Sequence, residues 1–157
     1  MTPLLNIVLV RPEIPQNTGS IARLAAATRV RLHLVGPLGF SLEDRYLRRA
    51  GLDYWPLVDV RSYEDWARFL EAHRGAPMKL FSARATTPYI HAGYTAGDYL
   101  LFGSETKGLG PAMLSAGLGP AFRIPIFESG VRSLNLANAV SIVVYEALRQ
   151  FGALDRS

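Results

Sequence analysis

Short apolar runs alternate with segments of helical spacing along the chain, and this alternation constrains the fold more than any other feature. The runs are almost continuously apolar, which predicts parallel strands covered on both faces. We predict strands at Asn6–Val10, Arg31–Val35, Leu57–Val60, Met78–Ser82, Tyr99–Phe102 and Phe122–Ile126. We predict helices at Asn17–Thr28, Leu42–Ala50, Tyr63–His73, Pro111–Ala116 and Leu134–Phe151. This order predicts an α/β fold with a parallel, doubly wound sheet.

Length and hydropathy indicate one domain spanning residues 1–157. With 49% hydrophobic residues, the 157-residue chain is long enough to bury a core. It contains no run of about 18 apolar residues, so we expect no transmembrane helix and no membrane partner. The first predicted strand begins at Asn6 without the charged start and cleavage site of a signal peptide. We therefore expect a cytoplasmic protein.

Composition narrows the chemistry. The chain has no cysteine, which excludes disulfides, thiolate metal sites and cysteine nucleophiles. His33, His73 and His91 are far apart in sequence and lack metal-ligand spacing, so we expect no metal site. The net charge of +4 comes almost wholly from arginine, because only Lys79 and Lys107 are lysine. Arginine binds phosphate well, so nucleic acid is a compatible partner, although many basic proteins bind none.

The last predicted helix, Leu134–Phe151, is apolar almost all the way round. Such a helix is buried on more than one side. One side can cover the sheet, and in a small domain we expect the other side to meet a second subunit. The helix therefore predicts a homodimer.

Two turns rich in glycine and polar residues each follow an apolar strand near the end of the chain. They are Gly103–Gly108, with sequence GSETKG, and the segment from Phe127 to Ser133. In open α/β sheets this edge binds ligands, so the turns predict one shared pocket. The Walker pattern and the G-x-G-x-x-G fingerprint are both missing, which disfavours ATP or GTP hydrolysis and ordinary dinucleotide binding. An adenosine-like ligand held by backbone groups remains, and an ordinary tight turn is the alternative.

Several polar side chains in or near these turns have both a local and a functional interpretation. Glu105 could accept hydrogen bonds, act as a base, or cap nearby amides. Ser133 is most simply a helix N-cap, while Asn135 and Asn138 could bond local backbone or reach the pocket. Arg23 lies on an otherwise apolar helix, capped by Asn17 or Thr18, and is either a solvated arginine or a phosphate ligand.

The segment from Tyr46 to Trp55, YLRRAGLDYW, joins two arginines to aromatic residues. Arginine for phosphates and aromatic rings for base stacking suit single-stranded RNA. A helix end followed by a core tryptophan explains the same pattern equally well.

Together these segments resemble the SPOUT RNA methyltransferases. The resemblance is closest to the small bacterial members that 2′-O-methylate the wobble nucleotide of tRNA, and it covers nearly the whole chain. The matching segments are EIPQNTGSIARL, RRAGLDYW, DYLLFGSETKGL, RIPI and RSLNLANAVSIVVYEALRQ. The resemblance implies an α/β domain with a deep C-terminal trefoil knot, which is a rare exception to un-knotted topology. It also implies S-adenosylmethionine as cofactor, tRNA as substrate through its anticodon stem-loop, and an active site formed across a homodimer.

The resemblance also assigns residues. It implies cofactor contacts at Ala83, Gly103, Ile124, Ser133, Leu134 and Asn138. It implies catalytic roles near the ribose for Asn17, Arg23, Glu105, Ser133 and Asn135. Surface arginines Arg45, Arg48 and Arg49 are candidates for RNA binding.

The implied reaction is attack of a ribose 2′-hydroxyl on a sulfonium methyl group, for which alignment supplies much of the catalysis. A guanidinium is too basic to accept the hydroxyl proton, so we expect Arg23 to clamp the flanking phosphate instead. A related enzyme for another tRNA position or for ribosomal RNA, and a non-catalytic nucleotide- or RNA-binding module, are the alternatives.

Overall fold

The computed structural model describes residues 3–51 and 54–156; Leu52 and Asp53 of the RRAGLDYW segment lie outside the described residues. Within these ranges the strands form a single sheet in which every neighbouring pair is parallel, in the order β3-β2-β1-β6-β4-β7-β5. The strands are β1 Asn6–Val10, β2 Arg31–Val35, β3 Val60–Tyr63, β4 Met78–Phe81, β5 Thr87–Pro88, β6 Tyr99–Phe102 and β7 Ala121–Arg123. The helices are α1 Pro15–Thr28, α2 Arg45–Gly51, α3 Trp66–Ala72, α4 Pro111–Leu114 and α5 Leu136–Gln150.

Both faces of the sheet are covered, which confirms the predicted parallel sheet between two layers of helices. Alternate residues of the central strands point to opposite faces, so Leu100 joins the core under α1 and α5 while Leu101 joins the core under α3 and α4. Both leucines are fully buried, and burying such a side chain stabilises the fold by about 1.5–3 kcal/mol. Among the described residues, no helix is both long enough and apolar enough to cross a membrane.

The third strand does not lie where the apolar run predicted it. Residues Trp55–Leu57 form a turn of 3₁₀ helix, and Leu57 is 73% exposed. The strand is Val60–Tyr63 instead, with Leu32 of β2 opposite Val60. It is an edge strand, so it needs no continuous apolar run, and its sequence VRSY carried no such signal.

Several predicted helix starts are also wrong, because the caps are different from those expected. The first helix begins at Pro15, its N-cap is Ile14, and neither Asn17 nor Thr18 caps it. The third begins at Trp66, after Asp65 accepts a hydrogen bond from the Arg68 amide.

The last helix begins at Leu136 rather than at Leu134. Its N-cap is Asn135, whose Oδ1 accepts from the Asn138 amide, so Ser133 is not the cap. The two-residue strand Thr87–Pro88 had no counterpart in the prediction, because two residues are too few to form a pattern.

A buried polar network connects the sheet to α3. The side-chain nitrogen of Asn6 donates to a backbone carbonyl, so its Oδ1 accepts from His33 Nε2 at 2.9 Å. His33 Nδ1 then accepts from the Tyr63 hydroxyl at 2.9 Å, and that hydroxyl accepts from His73 Nε2 at 2.8 Å. Tyr99 donates to His73 Nδ1 at 3.2 Å. Burial, together with the neighbouring His73, lowers the pKa of His33 to about 3, so His33 is neutral in the network.

Candidate functional site

A cavity of about 690 Å³ opens at the carboxyl ends of three adjacent strands, β6, β4 and β7. Its walls are the segments that follow those strands, 82–84 after β4, 103–108 after β6 and 124–126 after β7, together with residues 132–136 at the start of α5. The size falls within the range of small-molecule and cofactor sites. The two turns singled out in the sequence therefore share one pocket, as predicted.

The loop Gly103–Gly108 needs glycine at both ends. A Cβ on Gly103 would lie 1.9 Å from the carbonyl carbon of Gly108, so any larger residue would force the loop open. Gly108 has a φ of +64°, a conformation that L side chains rarely adopt. The loop is closed on itself by the Gly108 amide, which donates to the Ser104 carbonyl at 2.9 Å. These constraints give the cavity a fixed wall of backbone groups.

Two carboxylates fasten this loop to the start of α1. Glu105 accepts from the amides of Glu13 and Ile14, both at 2.8 Å, so it caps a helix that has no local side-chain cap. In the reverse direction Glu13 accepts from the Thr106 hydroxyl at 2.7 Å and from its amide at 3.0 Å. The Thr106 hydroxyl and amide hold the pKa of Glu13 below its ordinary value. Of the interpretations open to Glu105, the structure shows the hydrogen-bond acceptor that caps nearby amides.

Three of the predicted catalytic residues form one chain of hydrogen bonds along the cavity wall. The Asn17 side-chain nitrogen donates to Glu105 Oε2 at 3.2 Å, and Asn17 Oδ1 accepts from the Asn135 nitrogen at 3.0 Å. Asn17 and Asn135 are 118 positions apart in the sequence, and they lie in the first turn of α1 and at the N-cap of α5. The chain fixes which way each amide points, because Glu105 can only accept. Glu105, Asn17 and Asn135 all line the cavity.

The predicted cofactor contacts divide into two groups. Ala83, Gly103, Ile124, Ser133 and Leu134 all line the cavity. Asn138 does not, and it is exposed on the first turn of α5, where its amide bonds the helix cap. Ser133 is exposed within the segment that leads into α5.

Arg23 is not among the residues that line the cavity of its own chain. It lies six residues after Asn17 in α1, which places it about 240° further round the helix axis. Its guanidinium is stacked over the ring of Tyr54 at 4.8 Å from the centroid, and the residue is exposed. Its planar edge therefore faces water and remains able to grip an anion.

The arginines predicted for RNA binding lie on and around α2. Arg45 is stacked over the Tyr46 ring and donates to its hydroxyl, and Arg48 pairs with Glu43 at 3.2 Å. Arg49 is exposed.

Sequence reasoning missed some residues of this site. Glu13 and Thr106 were not singled out, although Thr106 directly follows Glu105. Three cavity-lining cations, Arg84, Lys107 and Arg132, were also missed. The spacing of a sequence gives no sign that residues 13 and 106 meet. Among the described residues there is no group of three or more side chains suited to hold a metal ion.

The fold and the site together define a class of protein, and comparison with known proteins identifies it. Residues 4–145 match the SpoU rRNA methylase family, and the chain belongs to that family. A tRNA (cytidine(34)-2′-O)-methyltransferase of Yersinia pestis is 49% identical over 157 residues, covering 95% of each chain.

Solved structures show the same relationship in three dimensions. One, described as giving structural insights into the 2′-OH methylation of C/U34 on tRNA, has a TM-score of 0.90 and 51% identity, and the match covers 95% of this chain and 97% of that one. An AdoMet-bound rRNA methyltransferase from Sinorhizobium meliloti has a TM-score of 0.83 and 25% identity, and it matches 95% of this chain and 57% of that one.

Proposed function

We propose that residues 1–157 form a methyltransferase domain that uses S-adenosylmethionine to methylate the ribose 2′-hydroxyl of the wobble pyrimidine nucleotide of tRNA in the cytoplasm. The observation that carries the proposal is the hydrogen-bonded chain Glu105–Asn17–Asn135 on the wall of the cavity. The Yersinia pestis relative, at 49% identity, carries the corresponding activity in its name.

The cavity fits the cofactor. Its volume suits a nucleoside with an amino-acid tail, and its walls combine backbone of the 103–108 loop with the apolar side chains Ile124 and Leu134. Ala83, Gly103, Ile124, Ser133 and Leu134 would hold the cofactor there. Because no residue larger than glycine fits at position 103, the loop presents backbone groups that a ligand can approach closely. When bound, the cofactor supplies an electrophilic methyl group on a sulfonium.

The residues of the chain orient the ribose and stabilise the charge that develops on its oxygen. Asn17 and Asn135 cannot rotate freely, since Glu105 fixes the first and the first fixes the second. Fixed polar groups cost no reorganisation during the reaction. Glu105 has three N–H donors around it, so we assign it the role of holding Asn17 rather than that of a base. As the 2′-oxygen forms its bond to the methyl carbon, the bond between that carbon and the sulfur would break, and the hydroxyl would release its proton to water at the open mouth of the cavity.

Arg23 would clamp the phosphate beside the reacting ribose, and this role leads to a homodimer. In its own chain Arg23 lies away from the cavity, so it would serve the cavity of a second copy. Leu134, Ile142 and Tyr145 support this assembly, because they are exposed apolar side chains on and before α5. A patch of this kind marks an interaction site on a folded protein.

We also propose that the C-terminal segment forms the trefoil knot. Strand β7 pairs with β4, on the far side of β6 from β1. The chain then returns over the carboxyl ends of these strands, so that Asn135 reaches Asn17 and α5 packs against α1. This return of the chain, beside the loops 82–84 and 103–108 that line the same cavity, supports the proposal.

The proposal is tested by incubating the protein with methyl-labelled S-adenosylmethionine and unmodified bulk tRNA, and then identifying the labelled nucleoside. We expect label in a 2′-O-methylated pyrimidine from an anticodon-loop fragment. The Asn135→Ala variant should transfer little label, and Arg68→Gln, on the distant helix α3, should transfer as much as the parent. No transfer to tRNA would contradict the proposal.

A second function is supported by the family itself, which is described by rRNA methylation, and by the likeness to the Sinorhizobium meliloti enzyme. The same assay distinguishes the two, because label in ribosomal RNA and not in tRNA would keep the reaction and change the substrate. Cofactor binding without transfer to either RNA would indicate a binding module.

A further inference from the structure

Three cations surround the cavity and form no ion pair with any of the described residues. Arg84, Lys107 and Arg132 all line it and are exposed, and none forms an ion pair within residues 3–51 and 54–156. Glu105 also lines the cavity, but its oxygens already accept three N–H groups. Among the charged side chains that line the cavity, the cations are therefore the ones that keep free hydrogen-bonding capacity.

An uncovered aromatic side chain lies in the segment between the lining residues Ile126 and Arg132. Phe127 is 100% exposed, more than any other large apolar residue of the described chain. It directly follows Ile126, which lines the cavity, and belongs to the segment that continues to Arg132. A partner that covers this ring removes apolar surface from water, which stabilises the complex.

Cations together with a free aromatic ring suit the binding of single-stranded RNA. The cations neutralise its phosphates, and the ring stacks on its bases. We propose that Arg84, Lys107, Phe127 and Arg132 form a cationic rim that binds the single-stranded loop carrying the target nucleotide. The cations contact the backbone phosphates, and Phe127 stacks on a base that flanks the target. This inference rests on the proposed function and names the surface that recognises its substrate.

The rim explains recognition better than α2. Arg45 and Arg48 are already engaged by Tyr46 and Glu43, so binding phosphate there would first cost those contacts. The rim also borders the cavity, so a loop that it holds is delivered directly to Asn17 and Asn135. A surface far from the cavity would need the RNA to span the distance between them.

The cations are tested by the salt dependence of binding to an unmodified tRNA transcript. We expect each of Arg84→Gln, Lys107→Gln and Arg132→Gln to reduce the slope of log K against log salt by about 0.7, the value for one phosphate of a single strand. The Michaelis constant for tRNA should rise, while the dissociation constant for S-adenosylmethionine changes less than about twofold, because a lost phosphate contact weakens RNA binding only. Arg68→Gln is the matched control, since Arg68 is exposed on α3 and makes no ion pair among the described residues.

Phe127 is tested separately. Phe127→Ala should weaken tRNA binding by at least about fivefold, from the loss of one stacked base, and Phe127→Trp should restore it. Phe127→Leu keeps an apolar side chain without a π face and should behave like alanine. If leucine restores binding, Phe127 does not stack on a base.

Other occupants give different results. If the cations hold the cofactor's carboxylate, the substitutions weaken S-adenosylmethionine binding and leave the salt slope unchanged, which overturns the assignment. If a second copy of the chain covers Phe127, Phe127→Ala changes the mass measured by light scattering, and the dimer that remains binds tRNA with the affinity of the parent. That result would overturn the role of Phe127 in stacking on a base. Should the parent protein methylate tRNA while every variant binds it normally, the rim is wrong and the proposed function stands. Absence of transfer by the parent counts against the proposed function instead.

Discussion

Two polar networks among the described residues differ in what they leave free. The network of Asn6, His33, Tyr63, His73 and Tyr99 is covered by α3 and runs donor to acceptor through its whole length. The network of Glu105, Asn17 and Asn135 lies along a cavity whose mouth is open to water. A fully satisfied buried network holds elements together. A network that faces a cavity can also bind a ligand there. Whether a network faces a cavity therefore distinguishes a structural network from a functional one more clearly than its residue types do.

The largest effect is expected at the loop that forms the cavity wall. Gly103→Ala places a Cβ within 1.9 Å of backbone, so the loop must move, and a displacement of about 1 Å at a site can cost about 100-fold. We expect cofactor affinity to fall by about that factor in isothermal titration calorimetry. Gly93→Ala is the control, because nothing lies within 4 Å of a Cβ there. Equal affinities for the two variants would show that the cavity wall is not the cofactor site.

The next variant tests whether Arg23, which lies outside the cavity, contributes to turnover. Arg23→Lys keeps the positive charge and loses the planar fork, so we expect kcat to fall roughly tenfold to a hundredfold. Cofactor affinity should not change, because Arg23 does not line the cavity. Steady-state kinetics with tRNA measure the first quantity and titration the second. Unchanged turnover would remove Arg23 from the mechanism.

A substitution in the network around His33 should lower the stability of the fold and leave turnover unchanged. His33→Leu leaves Asn6 Oδ1 and the Tyr63 hydroxyl without their partner, which we expect to cost about 2–4 kcal/mol of unfolding free energy in urea. Turnover and cofactor affinity of the folded variant should remain those of the parent. A loss of turnover without a loss of stability would mean that the two networks are coupled.

Asn135→Ala is the complementary change. It removes the N-cap of α5, which we expect to cost about 1 kcal/mol of stability, and it also removes the restraint on Asn17. Turnover should fall more than tenfold at saturating substrate. Asn135→Asp keeps the cap and loses the donor to Asn17, so it separates the two roles: its stability should be close to the parent's while its turnover is low.

The last prediction concerns the pH dependence of stability. Because the pKa of folded His33 lies near 3, below the unfolded value of about 6.5, the unfolded chain takes up a proton first as the pH falls. The contribution of neutral His33 to the free energy of unfolding is therefore fully present above pH 6.5 and is lost as the pH falls from 6.5 to 3. At pH 5 the loss is roughly 2 kcal/mol. Burial lowers the pKa of His73 as well, which acts in the same direction.

Urea unfolding at several pH values measures this loss. His33→Leu should remove much of this pH dependence. A parent protein with equal stability at pH 7 and pH 5 would contradict the buried neutral state of His33.

The amino-acid sequence alone determined the class of fold and where its ligand would bind. Apolar runs such as Asn6–Val10 and Tyr99–Phe102 were predicted with the right bounds, because a central parallel strand is buried on both faces and must be apolar throughout. Glycine-rich turns after two strands predicted the cavity, since that edge of an open parallel sheet binds ligands. Both signals are local, so the sequence carries them.

Only the tertiary structure decided which residues meet. Glu105 caps a helix about 90 positions earlier in the chain, and for that reason α1 begins at Pro15 without the local cap that the sequence led us to expect. The edge strand Val60–Tyr63 was misplaced because its exposed face requires no pattern. The gathering of Arg84, Lys107 and Arg132 around one cavity follows from the strand order β6-β4-β7. Strand order is set by the packing of the whole sheet, and no local spacing encodes it.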